Sequence, residues 1–426
     1  MRIIRKSEKR DYIWNSVGAL SQSATSPILL VFVSRFHGDE GFGVFSYLFS
    51  LSIIMWAINL WGGRTYQVSD IKKEFTASGY LAVRLLLAII VLLIALGFGV
   101  QQGFSAEHIK LLVLLTFFKI VEAVADTFFG VLQSHDFLFV AGKSLFLKAV
   151  LGITLFFFAD FVFHSLLLAT LAIVFVNIIF LFFYDYRIAQ NLAEYRFSLL
   201  LKSFRESISI MKQTWQVAMI TIVTSFTINI PRIALAQYHE PALGRFGAIA
   251  LTVTATALVI TFVIQPRILK ISILFFSKEY ALFHKNIKLI LLLFGILGGI
   301  TLVATILMGI PVLSFIFQLN LINDQHALII IVLGGILNAI VLLFFNIFII
   351  MRETLRFLWM LLLSNFLLII VSIWLVSTHS ILGAAIAYTV CTFIQSVISF
   401  VIYKRKMHSL YNRQKMGVQA PTELET

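Results

Sequence analysis

Ionisable side chains stand inside stretches of this chain that are otherwise apolar. Lys119, Glu122 and Asp126 fall at i, i+3 and i+7 of one stretch, so a helix presents all three on one face. Lys148, Arg232, Arg64 and Arg84 stand within, or at the edge of, four others. In a medium that cannot solvate charge, such groups require a partner, a cavity or a ligand. Cations there suit an anionic group, because Lys and Arg offer charge-assisted hydrogen bonds to phosphate or carboxylate oxygens. Carboxylates there suit a proton or a sodium ion. Arg232, Lys119, Lys148 and Arg64 are therefore candidate ligands of an anionic headgroup, and Glu122 and Asp126 candidate coupling residues. Plainer readings stand beside these. Lys119 can simply neutralise Glu122, Arg84 can snorkel to lipid headgroups, and Arg64, after Gly62-Gly63, can be an interfacial anchor. Arg232 is the strongest of the set, since Pro231 opens backbone polar groups beside it.

The elements that carry these residues are long. Apolar stretches run over 12–34, 42–62, 80–100, 109–133, 144–160, 165–186, 209–236, 243–266, 286–310, 327–351, 357–377 and 380–403. Each has the length that crosses a bilayer's hydrocarbon as a helix. Of 426 residues 60% are hydrophobic and 12% charged, and the mean hydropathy is +0.97. No soluble core could hide that much apolar surface. The expected class is an all-α polytopic membrane protein with about 12 transmembrane helices; the stretches are too long for barrel strands. The net charge of +13 would point to nucleic acid in a soluble chain. Here it has a membrane cause, because basic residues gather on cytoplasmic connections.

Orientation follows from where those residues lie. Arg2, Arg5, Lys6, Lys9 and Arg10 precede the first span, and Arg64, Lys72 and Lys73 follow the second. Arg187, Arg196, Lys202, Arg205 and Lys212 follow the sixth, and Arg267, Lys270, Lys278, Lys285 and Lys288 the eighth. The opposite connections show Arg35 and Arg245, with Lys110 at a span edge. Both termini are expected in the cytoplasm of a multi-pass protein of the plasma (inner) membrane. The first stretch is too long and polar for a cleaved signal peptide. Cys391 is the one cysteine, so no intramolecular disulfide forms.

The halves of the chain echo one another. Trp14 matches Trp215, Phe42-Gly43 matches Phe246-Gly247, and Lys73-Glu74-Phe75 matches Lys278-Glu279-Tyr280, at an offset near 201–205. Each half holds an even number of spans, so both keep one orientation and the repeat is parallel. The organisation read from this is a six-helix lobe at 1–186, a basic cytoplasmic linker at 187–212, a second six-helix lobe at 213–404 and a tail at 405–426. A cleft between two such lobes is transporter architecture. The first and seventh spans, at equivalent repeat positions, are both polar and proline-bearing. Asn15, Gln22 and Asn229 are the candidate polar contacts they supply.

Other signals fail. Gly142-Lys143-Ser144 resembles the end of a phosphate loop, but Phe137 stands where glycine is required. No metal motif is present and no cofactor is implied. His37 and His239 are read as fixing turns, and Gly295, Gly298 and Gly299 as close helix packing.

Two segments carry a resemblance. The run Ser34-Arg35-Phe36-His37-Gly38-Asp39-Glu40-Gly41-Phe42-Gly43-Val44-Phe45-Ser46 resembles the first outer turn of the polysaccharide-export flippases, written Arg-x-x-Gly-x-x-x-(Phe/Tyr)-Gly. Asn229-Ile230-Pro231-Arg232, followed by Leu243-Gly244-Arg245-Phe246, resembles that family's seventh-span signature of Asp-Arg, then Leu-Gly-x-Tyr. Pro231 replaces the acidic residue and Phe246 the tyrosine, so no role of that Asp carries over. The resemblance covers all the spans in number, order and charge. It is to the Wzx-type oligosaccharide flippases of the multidrug/oligosaccharidyl-lipid/polysaccharide (MOP) exporter superfamily, and the chain is short for the related fourteen-span lipid II flippases. It implies a MATE-like fold, named for the multidrug and toxic-compound extruders. It also implies a non-enzymatic flippase for undecaprenyl-diphosphate-linked oligosaccharide in cell-surface polysaccharide biosynthesis. The expected partners are that substrate, membrane lipids, a proton or sodium ion, and a polysaccharide polymerase or chain-length protein, with no nucleic acid. The competing readings are a cation-coupled multidrug exporter of the same fold and a membrane-embedded polymerase or glycosyltransferase. The mainly cationic buried set argues against the first, and the short outer connections against the second.

Overall fold

In lipid, every backbone amide and carbonyl must be satisfied within its own segment, so long apolar stretches fold as helices. The computed structural model describes residues 2–69, 74–193 and 200–415. Among them the chain forms helices and turns with no strand. The first helices are α1 (Arg2–Leu60), α2 (Gly63–Ser69), α3 (Ala77–Gln101), α4 (Ala106–Ser134), α5 (Leu138–Phe163) and α6 (Leu166–Phe180). A π-helical turn at Leu181–Tyr186 extends α6 into α7 (Arg187–Ala189). There follow α8 (Leu200–Tyr238), α9 (Leu243–Phe276), α10 (Tyr280–Ala304), α11 (Ile310–Phe317), α12 (Gln325–Ile350) and α13 (Thr354–Lys415).

Among the described residues, eight helical segments are long and apolar enough to cross a membrane. Two of them hold two expected spans each. α1 is broken at Gly38, with φ 64 and ψ −164, a conformation that glycine reaches without a side-chain clash. α13 is broken at Ser380, with φ 50 and ψ −127. The remaining stretches, 109–133 and 243–266, lie in α4 and α9, which completes the twelve. Several connections are capped by the residues nearest them. Ser105 accepts from the His108 amide at 3.2 Å, and Thr76 from the Gly79 amide at 3.0 Å, each satisfying an open helix N-terminus.

The fifth span begins before the expected residue 144, at Leu138. Asp11 explains the early start. Its carboxylate accepts from the Phe139 amide at 2.9 Å, which places a negative charge on the helix N-terminus. Much of 187–212 is helical, in α7 and the start of α8. Lys72, Lys73, Arg196 and the tail beyond residue 415 lie outside the described residues.

Contacts divide the chain into two compact units. One takes in α1 through Ala236 of α8, together with Glu240–Gly247 and Phe315–Leu319. The other takes in Gln237–His239, Ala248–Ser314 and the chain from Asn320 through α13. The stretch 213–236 thus packs within the first unit.

Gly142 has a packing role. A methyl group there would strike the backbone of Trp14 and Asn15, and one at Gly18 would strike the backbone of Gly142. α1 and α5 touch backbone to backbone, as small residues allow between membrane helices. The expectation for the ninth-span glycines holds only in part. Gly298 meets Ile336 of α12, whereas Gly295 and Gly299 face open space. Gly142→Leu is expected to destabilise the protein by about 2 kcal/mol or more through overpacking. The measurement is thermal unfolding of the purified variant in detergent, with Gly299→Leu, in open space, unchanged as the control.

Candidate functional site

The charges of the first unit are mostly compensated. Lys119 and Glu122, one turn apart on α4, form an ion pair at 2.7 Å. The Lys119 ammonium also faces the Phe118 and Phe49 rings, at 4.7 and 5.1 Å. The plainer reading of Lys119 therefore describes its present geometry. Lys148 of α5 is bonded to Asp185, which also accepts from the Ser144 hydroxyl at 2.6 Å. Asp185 is fully buried and sits in the π-helical turn, a local register change that is common at functional positions. Between these two pairs lies a cavity of about 20 Å³ lined by Gln22, Thr25, Glu122, Lys148 and Asn177, enough for one water. Gln22, Lys148 and Glu122 are thus gathered at one place.

A second cluster lies where α1 ends. Arg84 is only 5% exposed, so the snorkelling expectation is corrected. Its guanidinium donates to the carbonyl of Asn59 at 2.9 Å and to that of Leu60, and approaches the Asp126 carboxylate at 3.9 Å. The last carbonyls of a helix lack intrahelical donors and carry the negative end of its dipole, so a buried arginine fits there. The chain then turns away through Trp61, Gly62 and Gly63, all at positive φ. Arg64 donates its Nε–H to Gln133 at 2.7 Å and faces Asp126 electrostatically. Burial lowers the Arg64 guanidinium from its ordinary value and Asp126 opposes that shift. Asp126 is thereby held by two arginines, a structural counter-ion in this conformation.

Arg232 stands apart. It lies on α8 one residue past Pro231, donates to the Ser46 carbonyl at 3.4 Å and has its guanidinium 5.7 Å from the Phe246 ring centre. Its Nε is enclosed without a hydrogen-bond partner. No carboxylate among the described residues pairs with it. Arg232 is a half-buried cation of the first unit with donor capacity to spare.

The polar first and seventh spans largely satisfy themselves. Thr25 donates to the Ser21 carbonyl and Ser21 to that of Val17, at 2.9 and 2.8 Å. Asn229 donates to the Ser225 carbonyl at 2.7 Å, the back-bonding typical of short polar side chains within a helix. Asn15 sits half-buried in the first span, its backbone beside Gly142 of α5. Sequence reasoning missed Asp185 and Asp160. A carboxylate inside an apolar stretch was the available signal in both. His37 bonds Asp160 at 2.8 Å, so it ties the turn between the first two spans to the end of α5. A cavity of 690 Å³ lies beside this tie, lined by His37, Asp39, Glu40, Glu107, His108 and Glu240 among others. Burial raises the Asp39 carboxyl above its ordinary value, and Arg245 opposes the shift.

Comparison with known structures places this geometry. An inward-facing multidrug resistance MATE family transporter of the MOP superfamily superposes with a TM-score of 0.71 at 13% identity, over 92% of this chain and 96% of that one. The lipid II flippase MurJ, in an inward closed conformation, superposes with a TM-score of 0.70 at 15% identity, over 95% and 91%. The chain has the fold of the MOP superfamily transporters. It is a multi-pass, all-α membrane protein with this MATE-like fold along nearly its whole length. The capsular polysaccharide biosynthesis protein CapF of Staphylococcus aureus is 22% identical over 390 residues, 89% of this chain and 94% of that protein. No family model matches the chain.

The buried pair on the MATE-like scaffold gives a direct test. Asp185→Ala is expected to cost about 3–5 kcal/mol by leaving the Lys148 ammonium buried and unpaired. Lys148→Met combined with Asp185→Leu is expected to recover most of that loss. Thermal unfolding of the purified proteins measures both, and equal losses in the single and double variants would contradict the pairing.

Proposed function

We propose that this protein is a flippase that moves an undecaprenyl-diphosphate-linked oligosaccharide from the cytoplasmic to the outer leaflet, for cell-surface polysaccharide biosynthesis. The observation that carries the reading is Arg232, half-buried, with its Nε enclosed and without an acidic partner among the described residues. A cation left uncompensated in a membrane interior is costly, and an arriving phosphate offsets that cost. A cationic drug would gain nothing from it. The likeness to a lipid II flippase in fold and to a capsule biosynthesis protein in sequence supports the same reading.

In the proposed cycle the prenyl tail stays in lipid while diphosphate and sugars cross the membrane past the polar side chains of the first and seventh spans, by alternating access. The barrier is desolvation of an anionic, hydroxyl-rich headgroup. Arg232 is the first phosphate ligand; Lys119, Lys148 and Arg64 contribute once their present partners release them. Asn15, Gln22 and Asn229 offer hydrogen bonds to sugar hydroxyls. Protonation of Glu122 or Asp126 is the route by which a proton gradient would free those cations, with sodium binding as its counterpart. The carboxylates around the 690 Å³ cavity repel a diphosphate and so favour its release outward. No reacting group is assigned, and the role is transport without catalysis. The termini are assigned to the cytoplasm from the placement of Lys and Arg, and a polymerase or chain-length protein is the expected consumer of the product.

Translocation of a lipid-linked oligosaccharide in proteoliposomes tests this, with a membrane-impermeant reagent reporting the leaflet that holds the sugar. Arg232→Ala is expected to slow movement by roughly tenfold or more, the cost of losing hydrogen bonds from a charged donor. Arg232→Lys is expected to restore part of the rate, because a point charge replaces the planar fork. No movement by wild type, in vesicles that still export a cationic dye along an ion gradient, would replace this reading with a multidrug exporter.

A further inference from the structure

A basic cluster in the second unit has a different design from the sites above. On α10, His284, Lys288, Leu292 and Ile296 follow at intervals of four and share one helix face. On α13, Lys404 and Phe400 are likewise one turn apart, and the Lys404 ammonium lies 4.7 Å from the Phe400 ring centre. Tyr403 joins the two helices. Its hydroxyl is 2.7 Å from His284 Nδ1, and the two rings stack with centres 5.8 Å apart. With the Tyr403 hydroxyl donating to Nδ1, His284 keeps its Nε2–H as a free donor.

Lys288 and Lys404 both lie close enough for their charges to act on the His284 ring. Neither lysine has a carboxylate partner among the described residues. Glu353, in the same unit, is already held by Lys406 at 2.5 Å and Arg356 at 3.1 Å. The fold therefore brings like charges together from two helices with no counter-charge among the described residues, an arrangement that an added anion stabilises. The same two faces turn apolar one turn deeper. Leu292 and Ile296 are exposed on α10, as are Phe400, Val397 and Phe393 on α13. A basic end above an apolar stripe matches an amphiphile with an anionic head, and aromatic side chains such as Tyr280 and Tyr411, in ring contact, mark a membrane–water boundary.

We infer that His284, Lys288 and Lys404 form a binding site for the headgroup phosphate of an anionic phospholipid, with its acyl chains lying along Leu292 and Phe400. This site is separate from Arg232 and independent of what the protein transports. The lipid would clasp α10 to α13 at the basic boundary and supply a counter-charge that the described residues do not.

Native mass spectrometry of the full-length protein in detergent tests it, with phosphatidylglycerol or phosphatidylcholine added in equal amounts. Wild type is expected to retain phosphatidylglycerol preferentially. Lys288→Gln combined with Lys404→Gln is expected to lower that retention by about 30-fold, at roughly a kilocalorie per lysine near an anionic surface. His284→Gln, which keeps a donor, is expected to lower it less; a monodisperse elution profile checks that each variant is folded. Equal retention of phosphatidylglycerol by wild type and the double variant would overturn the site. Displacement of the lipid by millimolar inorganic phosphate would overturn the assignment to a lipid headgroup, since a free anion would then suffice.

Discussion

A charge inside a bilayer needs a partner, a cavity or a ligand, and this constraint organises the interior of the first unit. The chain's ionisable residues are few among its spans, yet most of them tie one element to another. Lys148 and Asp185 join α5 to the π-helical turn after α6. Arg84 joins α3 to the end of the second span and, through Asp126, to α4. His37 and Asp160 join the turn between the first two spans to α5. Apolar surfaces in lipid slide with little preference for one register, because the tails solvate them as well as a neighbouring helix does. Ion pairs do not slide. Their net contribution to stability is small against an apolar replacement, so their value here is in fixing which residues face which.

Much of the fold was legible because that constraint acts on composition. Spans of bilayer length and basic residues on alternate connections are visible without any contact. The break at Gly38 falls between stretches that the sequence already separates, and that at Ser380 on the first residue of the last stretch. The early start of α5 was not legible, since it depends on Asp11, a residue 128 positions away. The candidate site shows the same division. Lys119 and Glu122 are neighbours on one helix, and their pairing follows from spacing alone. Lys148 and Asp185 are 37 positions apart, and no periodicity links them. Arg84 was misjudged because its place near a helix end fits snorkelling, while the open carbonyls of Asn59 and Leu60 appear only in three dimensions.

The polar first and seventh spans carry a related lesson. Counting hydroxyls exaggerates how much of a helix is free to meet a substrate. Ser21, Thr25, Thr214, Thr221 and Ser225 all return their hydrogens to their own helix. Amides and guanidinium groups are the better guide, because one backbone carbonyl cannot exhaust them. Gln22 reaches a cavity, and Arg232 retains an enclosed Nε with no partner.

The contrast between compensated and uncompensated cations bears on how a flippase of this kind would be driven. Lys119, Lys148, Arg64 and Arg84 can attend to a passing diphosphate only after leaving Glu122, Asp185 or Asp126. Each departure strands a buried carboxylate unless a proton arrives with it, at a cost of several kcal/mol. Arg232 requires no such exchange. A cation fixed in the protein lowers the desolvation barrier without itself crossing the field, so it does not cancel the charge that is carried. The membrane potential then acts on the substrate's full charge, at about 2.3 kcal/mol per charge per 100 mV. In the proposed cycle Arg232 is therefore sufficient for movement driven by potential. The paired carboxylates become necessary only where the gradient of a coupling ion must be added to it.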